Sequence, residues 1–139
     1  MRLTPFFVAL FMFNHAIGQL TAVDRNTGRI ISCEELGCEK DDSTYSAEDR
    51  ICLNCLYRVA DSTVQSLKKE IEVKCKLNRK RFASFVNQQN AWETKREKAA
   101  MKEGNKYKGG IMEFTEYVRT KLILTDTRIV YLKRYLSTL

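Results

Sequence analysis

Histidine and proline each occur once, as His15 and Pro5, and both lie in the first eighteen residues. Those residues have the layout of a secretory signal peptide. Arg2 gives a positive start, Phe6 to Phe13 is an apolar run, and Ala16-Ile17-Gly18 puts small residues where a signal peptidase reads. The run is too short to anchor in a bilayer. Cleavage after Gly18 leaves a chain with no histidine, which excludes Ser-His-Asp and Cys-His catalysis, histidine-paired ribonuclease chemistry and histidine-ligated zinc. It also leaves no proline, and there is no glycine between Cys38 and Glu103, so the strongest helix breakers are missing from the middle of the chain. No later stretch is apolar for long enough to span a membrane. No Asn-x-Ser/Thr acceptor is present, since Asn26-Thr27 is followed by Gly28. The C-terminal Ser137-Thr138-Leu139 is neither a retention tag nor a lipidation box. These features predict a secreted, extracellular protein of one small domain.

Charge is distributed unevenly. Glu34 to Asp61 holds eight acidic and three basic residues, whereas Ser62 to Leu139 holds eighteen basic and eight acidic ones. Such asymmetry points to an anionic partner for the basic part, although lysine also serves simply to solvate a helix face.

The organisation expected is a signal peptide over 1–18, an irregular N-terminal arm over 19–45 and a helical domain over 46–139. The arm carries Gly28, Gly37 and the polar run Lys40 to Thr44 and shows no sustained period. Ser46-x-x-Asp49 then makes a capping-box-like start. Leu53, Leu56, Ala60, Val64, Leu67, Ile71, Cys75, Asn78, Phe82 and Phe85 follow at steps of three and four, the stripe of an amphipathic helix. A straight helix over 46–86 would be ~60 Å long, against a radius of gyration of ~14 Å for a compact domain of this size. The molecule is therefore elongated or the helix breaks, with Asp61-Ser62-Thr63 the favoured break because Ser62-x-x-Gln65 can cap a new helix. Asn90-x-x-Glu93 starts a further helix that runs through Met101 and ends with Gly104 as its C′ residue. After a turn at Tyr107 to Gly110, a last stripe steps through Ile111, Phe114, Val118, Leu122, Thr125, Ile129, Leu132 and Leu136. Leu122 to Thr127 could form a strand instead, but the unbroken period favours helix. The fold class predicted is all-α, a small bundle of three or four helices with a disulfide-tethered arm.

Five cysteines remain after cleavage: Cys33, Cys38, Cys52, Cys55 and Cys75. An oxidising compartment favours disulfides over zinc, and an odd number leaves one thiol over. Along a straight helix Cys55 and Cys75 are ~30 Å apart, beyond the reach of a bridge. An antiparallel approach of the arm would pair Cys38 with Cys52 and Cys33 with Cys55, leaving Cys75 as a buried thiol in the stripe. The alternative is that Cys75 links two chains, which would make the protein a dimer and not a monomer.

Among candidate sites the lysines are the strongest. Lys95, Lys98, Lys102 and Lys106 step by three, four and four, and Lys76 and Lys80 share a face of the preceding helix. Together they could grip a sulfated glycan or an anionic lipid surface. Nucleic acid is disfavoured because Trp92 and the tyrosines do not interleave with the basic stripe as stacking requires. Glu34-Glu35 and Asp41-Asp42 are the candidate acid–base pairs, and they lie in a polar arm with no apolar pocket to separate their pKa values. The dibasic pairs Lys80-Arg81, Lys95-Arg96 and Lys133-Arg134 fall inside predicted helices, where a processing protease finds no extended strand.

Two short stretches resemble known families. Cys52-Leu53-x-Cys55-Leu56 followed by Ser62 resembles the nucleophile region of invertebrate-type lysozymes over about a dozen residues. Tyr57 departs from that motif and the dense cysteines of the family are missing, so no catalytic residue carries over. Cys52-x-x-Cys55 opening an amphipathic helix resembles the start of a saposin, but saposins hold three bridges and this chain has no cysteine after Cys75. The reading that results is a secreted, non-enzymatic binding or signalling protein, a cytokine-like ligand for an extracellular receptor or a secreted effector, engaging a polyanionic surface. An extracellular matrix protein on glycans or lipid is the alternative, followed by an apolar-ligand carrier. No cofactor or metal is implied.

Overall fold

The structure is a computed structural model that describes residues 22–23, 30–31, 33, 38 and 50–139. The expected signal peptide, the Ser46 capping box and the acidic pairs Glu34-Glu35 and Asp41-Asp42 lie outside the described residues. Three helices make up the domain: α1 over Arg50–Cys75, α2 over Arg79–Asn105 and α3 over Met112–Leu136. At ~1.5 Å per residue each is roughly 40 Å long, so the bundle is as long as one helix and no longer. In the arm, expected to be irregular, β1 (Ala22–Val23) pairs antiparallel with β2 (Ile30–Ile31).

The breaks fall elsewhere than the sequence suggested. α1 runs straight through Ser62, because the Thr63 hydroxyl donates to the Val59 carbonyl one turn back and Ala60 and Val64 are both buried. A hydroxyl used in this way continues a helix and does not cap a new one. Asn90 does not start a new helix either; the Thr94 hydroxyl donates to the Asn90 carbonyl, and Gln89 is buried in a tertiary contact. The chain turns instead at Lys76-Leu77-Asn78. Asn78 has extended backbone angles and its side chain accepts from the Arg81 N–H, which makes it the N-cap of α2. The turn shifts the phase of the stripe, so Asn78 and Phe82, assigned to the core by spacing, are exposed.

α3 is the centre of the bundle. It packs along both α1 and α2, which touch each other only sparingly. One apolar cluster joins Leu53 and Ala60 to Val118 and Leu122. The other joins Val64, Ile71, Cys75, Phe85 and Leu132, with Phe85 stacked on Tyr135 at 5.6 Å between centroids. Leu122 to Thr127 is helical throughout, with Thr125 fully buried and its hydroxyl donating to the Lys121 carbonyl.

Gly104 is not the C′ residue of α2 but lies inside the helix, which ends at Asn105. Its role is close approach: a Cβ there would sit 3.0 Å from the Glu113 carbonyl oxygen and 3.1 Å from the Tyr117 Cβ of α3. Gly109, at φ 81°, supplies the left-handed residue of the α2–α3 turn.

Two disulfides tie the arm to α1. Cys33 bonds Cys55 and Cys38 bonds Cys52, with Cα separations of 5.8 and 5.1 Å. Loop closure makes each worth roughly 3 kcal/mol. Cys75 is a free thiol buried in the second cluster, so an interchain bridge would require opening the core.

Candidate functional site

Between the two apolar clusters the seam of α1 and α2 is spanned by long polar side chains. Arg96 of α2 donates to Asp61 of α1 at 2.6 Å and to the Thr125 hydroxyl of α3 at 3.0 Å. Its guanidinium lies 4.6 Å from the Trp92 ring centroid and 5.7 Å from that of Tyr57. One turn away, Arg128 donates to the Gln89 side-chain Oε1 at 2.9 and 3.1 Å and stacks over Trp92 and Tyr131. Burial lowers the Arg128 pKa. This layer lies between the two apolar clusters and joins all three helices.

A second polar group lies nearer the α2–α3 turn. Tyr117 donates its hydroxyl to Glu97, and Lys121 reaches both, at 3.2 Å from the Tyr117 hydroxyl and 3.1 Å from Glu97. The Tyr117 hydrogen bond holds the Glu97 carboxyl below its ordinary value against desolvation, with help from Lys121. Burial, then the Glu97 bond, pushes the Tyr117 phenol up. Burial also opposes the charge on Lys121, but hydrogen bonds with Tyr57, Tyr117 and Glu97 outweigh it and hold the ammonium well above the usual lysine range. These groups are paired with one another and none is presented for chemistry. Among the described residues no cluster of three metal-ligating side chains occurs, and no helix is long and apolar enough to cross a membrane.

Beside this group, the end of the bundle where α2 turns into α3 carries an open cleft of about 410 Å³. Met101, Phe114 and Tyr117 give it apolar walls, Asn105 and Glu113 polar ones, and the Gly104 approach shapes its base. Glu113 accepts from the Gly109 N–H at 2.8 Å, which fixes the turn. Arg50, at the start of α1, lies 5.2 Å from the Phe114 ring centroid. Around the cleft Met101, Tyr107, Ile111 and Phe114 are all exposed, Ile111 by 73% and Phe114 by 42%. Periodicity had assigned Ile111 and Phe114 to the core stripe of α3. At this end of α3 it is Tyr117 and the Glu113 backbone, not Ile111 or Phe114, that meet α2 at Gly104. Spacing alone cannot reveal this, and the only signal in the sequence is the Tyr107-Lys108-Gly109-Gly110 turn flanked by large apolar residues.

The six lysines singled out from the sequence are all exposed. Lys76 and Lys80, expected to share a face of one preceding helix, are separated by the break at Lys76-Leu77-Asn78: Lys76 lies in the α1–α2 turn, and Lys80 lies on α2 with Lys95, Lys98, Lys102 and Lys106. Lys106 is paired with Glu103. Cys33, Cys38, Cys52 and Cys55 serve the two bridges.

A family profile described as "Lysozyme inhibitor LprI" matches residues 38–132. The matched segment begins at the arm's second bridging cysteine and takes in α1, α2 and most of α3, so it spans the polar layer, the cleft and the lysines. Comparison with curated proteins and with solved structures finds no significant match to either.

Proposed function

The chain belongs to the lysozyme inhibitor LprI family, and on that footing we propose that it is a secreted, non-catalytic protein that inhibits a lysozyme-type glycoside hydrolase by binding it. Membership of an inhibitor family is the observation that carries this reading. The chemistry of the mature chain agrees with it. Glycosidases of this kind work with two carboxyl groups flanking the bond they cut. The described carboxylates closest to a pocket, Glu97 and Glu113, are both spent on internal hydrogen bonds.

The contact surface we assign is the cleft at the α2–α3 turn. Protein interfaces are anchored by a few exposed aromatic and apolar side chains on a rigid frame, with a polar rim. Tyr107, Ile111, Phe114 and Met101 are such anchors, and the Gly109–Glu113 bond and the Gly104 approach hold them in place before binding. Preorganisation of this kind removes much of the ordering cost of association. The cleft is open and partly lined by a carboxylate and an amide, which suits a protein partner better than the apolar cargo of a carrier.

The test is a cell-wall lysis assay with lysozymes of the animal and invertebrate types, titrated with the purified protein. Wild type should suppress lysis in proportion to its amount. The double variant Ile111→Glu, Phe114→Ser should bind about 30-fold more weakly, the effect of losing a hot spot, with an unchanged denaturation midpoint. If no lysozyme loses activity at micromolar protein, the inhibitor reading fails. If the double variant inhibits as well as wild type, inhibition stands and the cleft is not the contact.

A further inference from the structure

The second surface is the outward face of α2. At ~100° per residue, Lys80, Lys95, Lys98, Lys102 and Lys106 fall within about 80° of arc, and from Lys80 to Lys106 the line is ~39 Å long. The same face holds the neutral residues Ser84, Asn87 and Ala91, all exposed, and no carboxylate. The reason is where the acidic residues of α2 are used. Glu93 turns to Lys68 of α1 at 3.7 Å, Glu97 to Tyr117 and Lys121 of α3, and Glu103 to Lys106. The bundle thus takes up two of the three glutamates of the helix, and the third is spent on Lys106 at the edge of the face. Lys80, Lys95, Lys98 and Lys102 form no ion pair among the described residues. A face kept solely for solubility would mix both signs.

We propose that this face binds a linear sulfated polysaccharide, independently of the cleft. Lys95, Lys98 and Lys102 give a continuous grip ~10 Å long, and Lys80 extends it as a fourth contact toward the other end of the helix. A membrane surface fits less well. An interfacial helix buries a Trp, Phe or Leu face into lipid, whereas the apolar face of α2, with Phe85 and Ala100, is already buried in the bundle. Nucleic acid fits less well because no aromatic ring shares the lysine arc to stack a base. Lysine ammonium groups act as point charges and suit repeating sulfates without demanding bidentate geometry.

The experiment is equilibrium binding of the purified full-length secreted protein to heparin over a range of salt. With four contacts at about −0.7 in log–log slope each, affinity should fall roughly 50-fold between 50 and 200 mM salt. Lys98→Glu with Lys102→Glu should abolish most of the binding. Lys133→Glu with Arg134→Glu, the same charge change on exposed residues of α3, should leave most of it. Circular dichroism and the denaturation midpoint establish that both variants fold. Equal losses in the two variants would mean a response to net charge and overturn the site. So would elution of wild type from a heparin column at or below physiological salt, or tighter binding to anionic vesicles or to single-stranded nucleic acid than to heparin. Lysozyme inhibition is read separately, so loss of either activity leaves the other measurable.

Discussion

Replacing Arg96 by alanine tests whether the polar layer holds the α1–α2 seam. Arg96 is 9% exposed and touches both α1 and α3 from α2 with charged hydrogen bonds. Its bond to Asp61 would be worth about 1.5–3 kcal/mol if fully buried. Asp61 is 30% exposed, so water replaces part of that, and about 1 kcal/mol is the appropriate figure. Stacking over Trp92 adds about 1 kcal/mol. The lost packing of the aliphatic stem adds about as much again. The Thr125 hydroxyl keeps its bond to the Lys121 carbonyl and adds little. Arg96 Nε is buried without a hydrogen-bond partner, which returns part of the gain. Arg96→Ala should therefore destabilise by about 3 kcal/mol, lowering Tm by roughly 10–15 °C for a domain of this size. Urea denaturation should show a lower midpoint at unchanged slope. Arg96→Met, which keeps the stem, should recover about a third of the loss, and a cycle with Asp61→Ala should yield a coupling near 1 kcal/mol. A change of under 0.5 kcal/mol for Arg96→Ala, or no coupling to Asp61, would refute the idea that this side chain bridges the seam.

The two glycines of the α2–α3 corner should respond differently to alanine. Gly104→Ala gains about 1 kcal/mol of helix preference, but the contacts at 3.0 and 3.1 Å are to backbone and Cβ of α3, so overpacking costs about 1–3 kcal/mol and the net effect is a loss of stability with a weakened cleft. Gly109→Ala meets nothing within 4 Å and should cost about 1 kcal/mol through its positive φ alone, leaving the helix spacing unchanged. If thermal melts find Gly104→Ala more stable than wild type, the close approach is not constraining. The third expectation concerns acid. Glu97 has a folded pKa below its unfolded value near 4.5, so its contribution is fully present above that pH and is lost as pH falls through the folded value. Melting between pH 5 and 2 should be steeper in wild type than in Tyr117→Phe, which lacks the largest cause of the shift, and parallel curves would sink the assignment.

Much of the fold was legible in the sequence because it rests on local periodicity. The absence of proline and the scarcity of glycine, together with steps of three and four, determine long amphipathic helices, and the stripe through Val64, Ile71 and Cys75 and that through Val118, Leu122 and Leu132 are the core. The lysine face was legible for the same reason, since helical spacing gives exposure on one side directly. Helix ends were not. Ser62, Asn90 and Gly104 each have the chemistry of a cap, but Thr63 bonds back to Val59, Asn90 stays within α2 and Gly104 serves a contact with α3. Only the packing partner decides among such uses, and a single sequence does not name it. The cleft was hidden by the same ambiguity. Ile111 and Phe114 are in phase with the core, yet Tyr117 and the Glu113 backbone are what meet α2 at Gly104, and spacing does not show which residues of a stripe meet the neighbouring helix. The sequence by itself determined the apolar stripes and the lysine stripe, because helical spacing is local. The tertiary structure decided which polar residues are spent between helices, Arg96, Gln89 and Glu97 among them, and so which surfaces are left for partners.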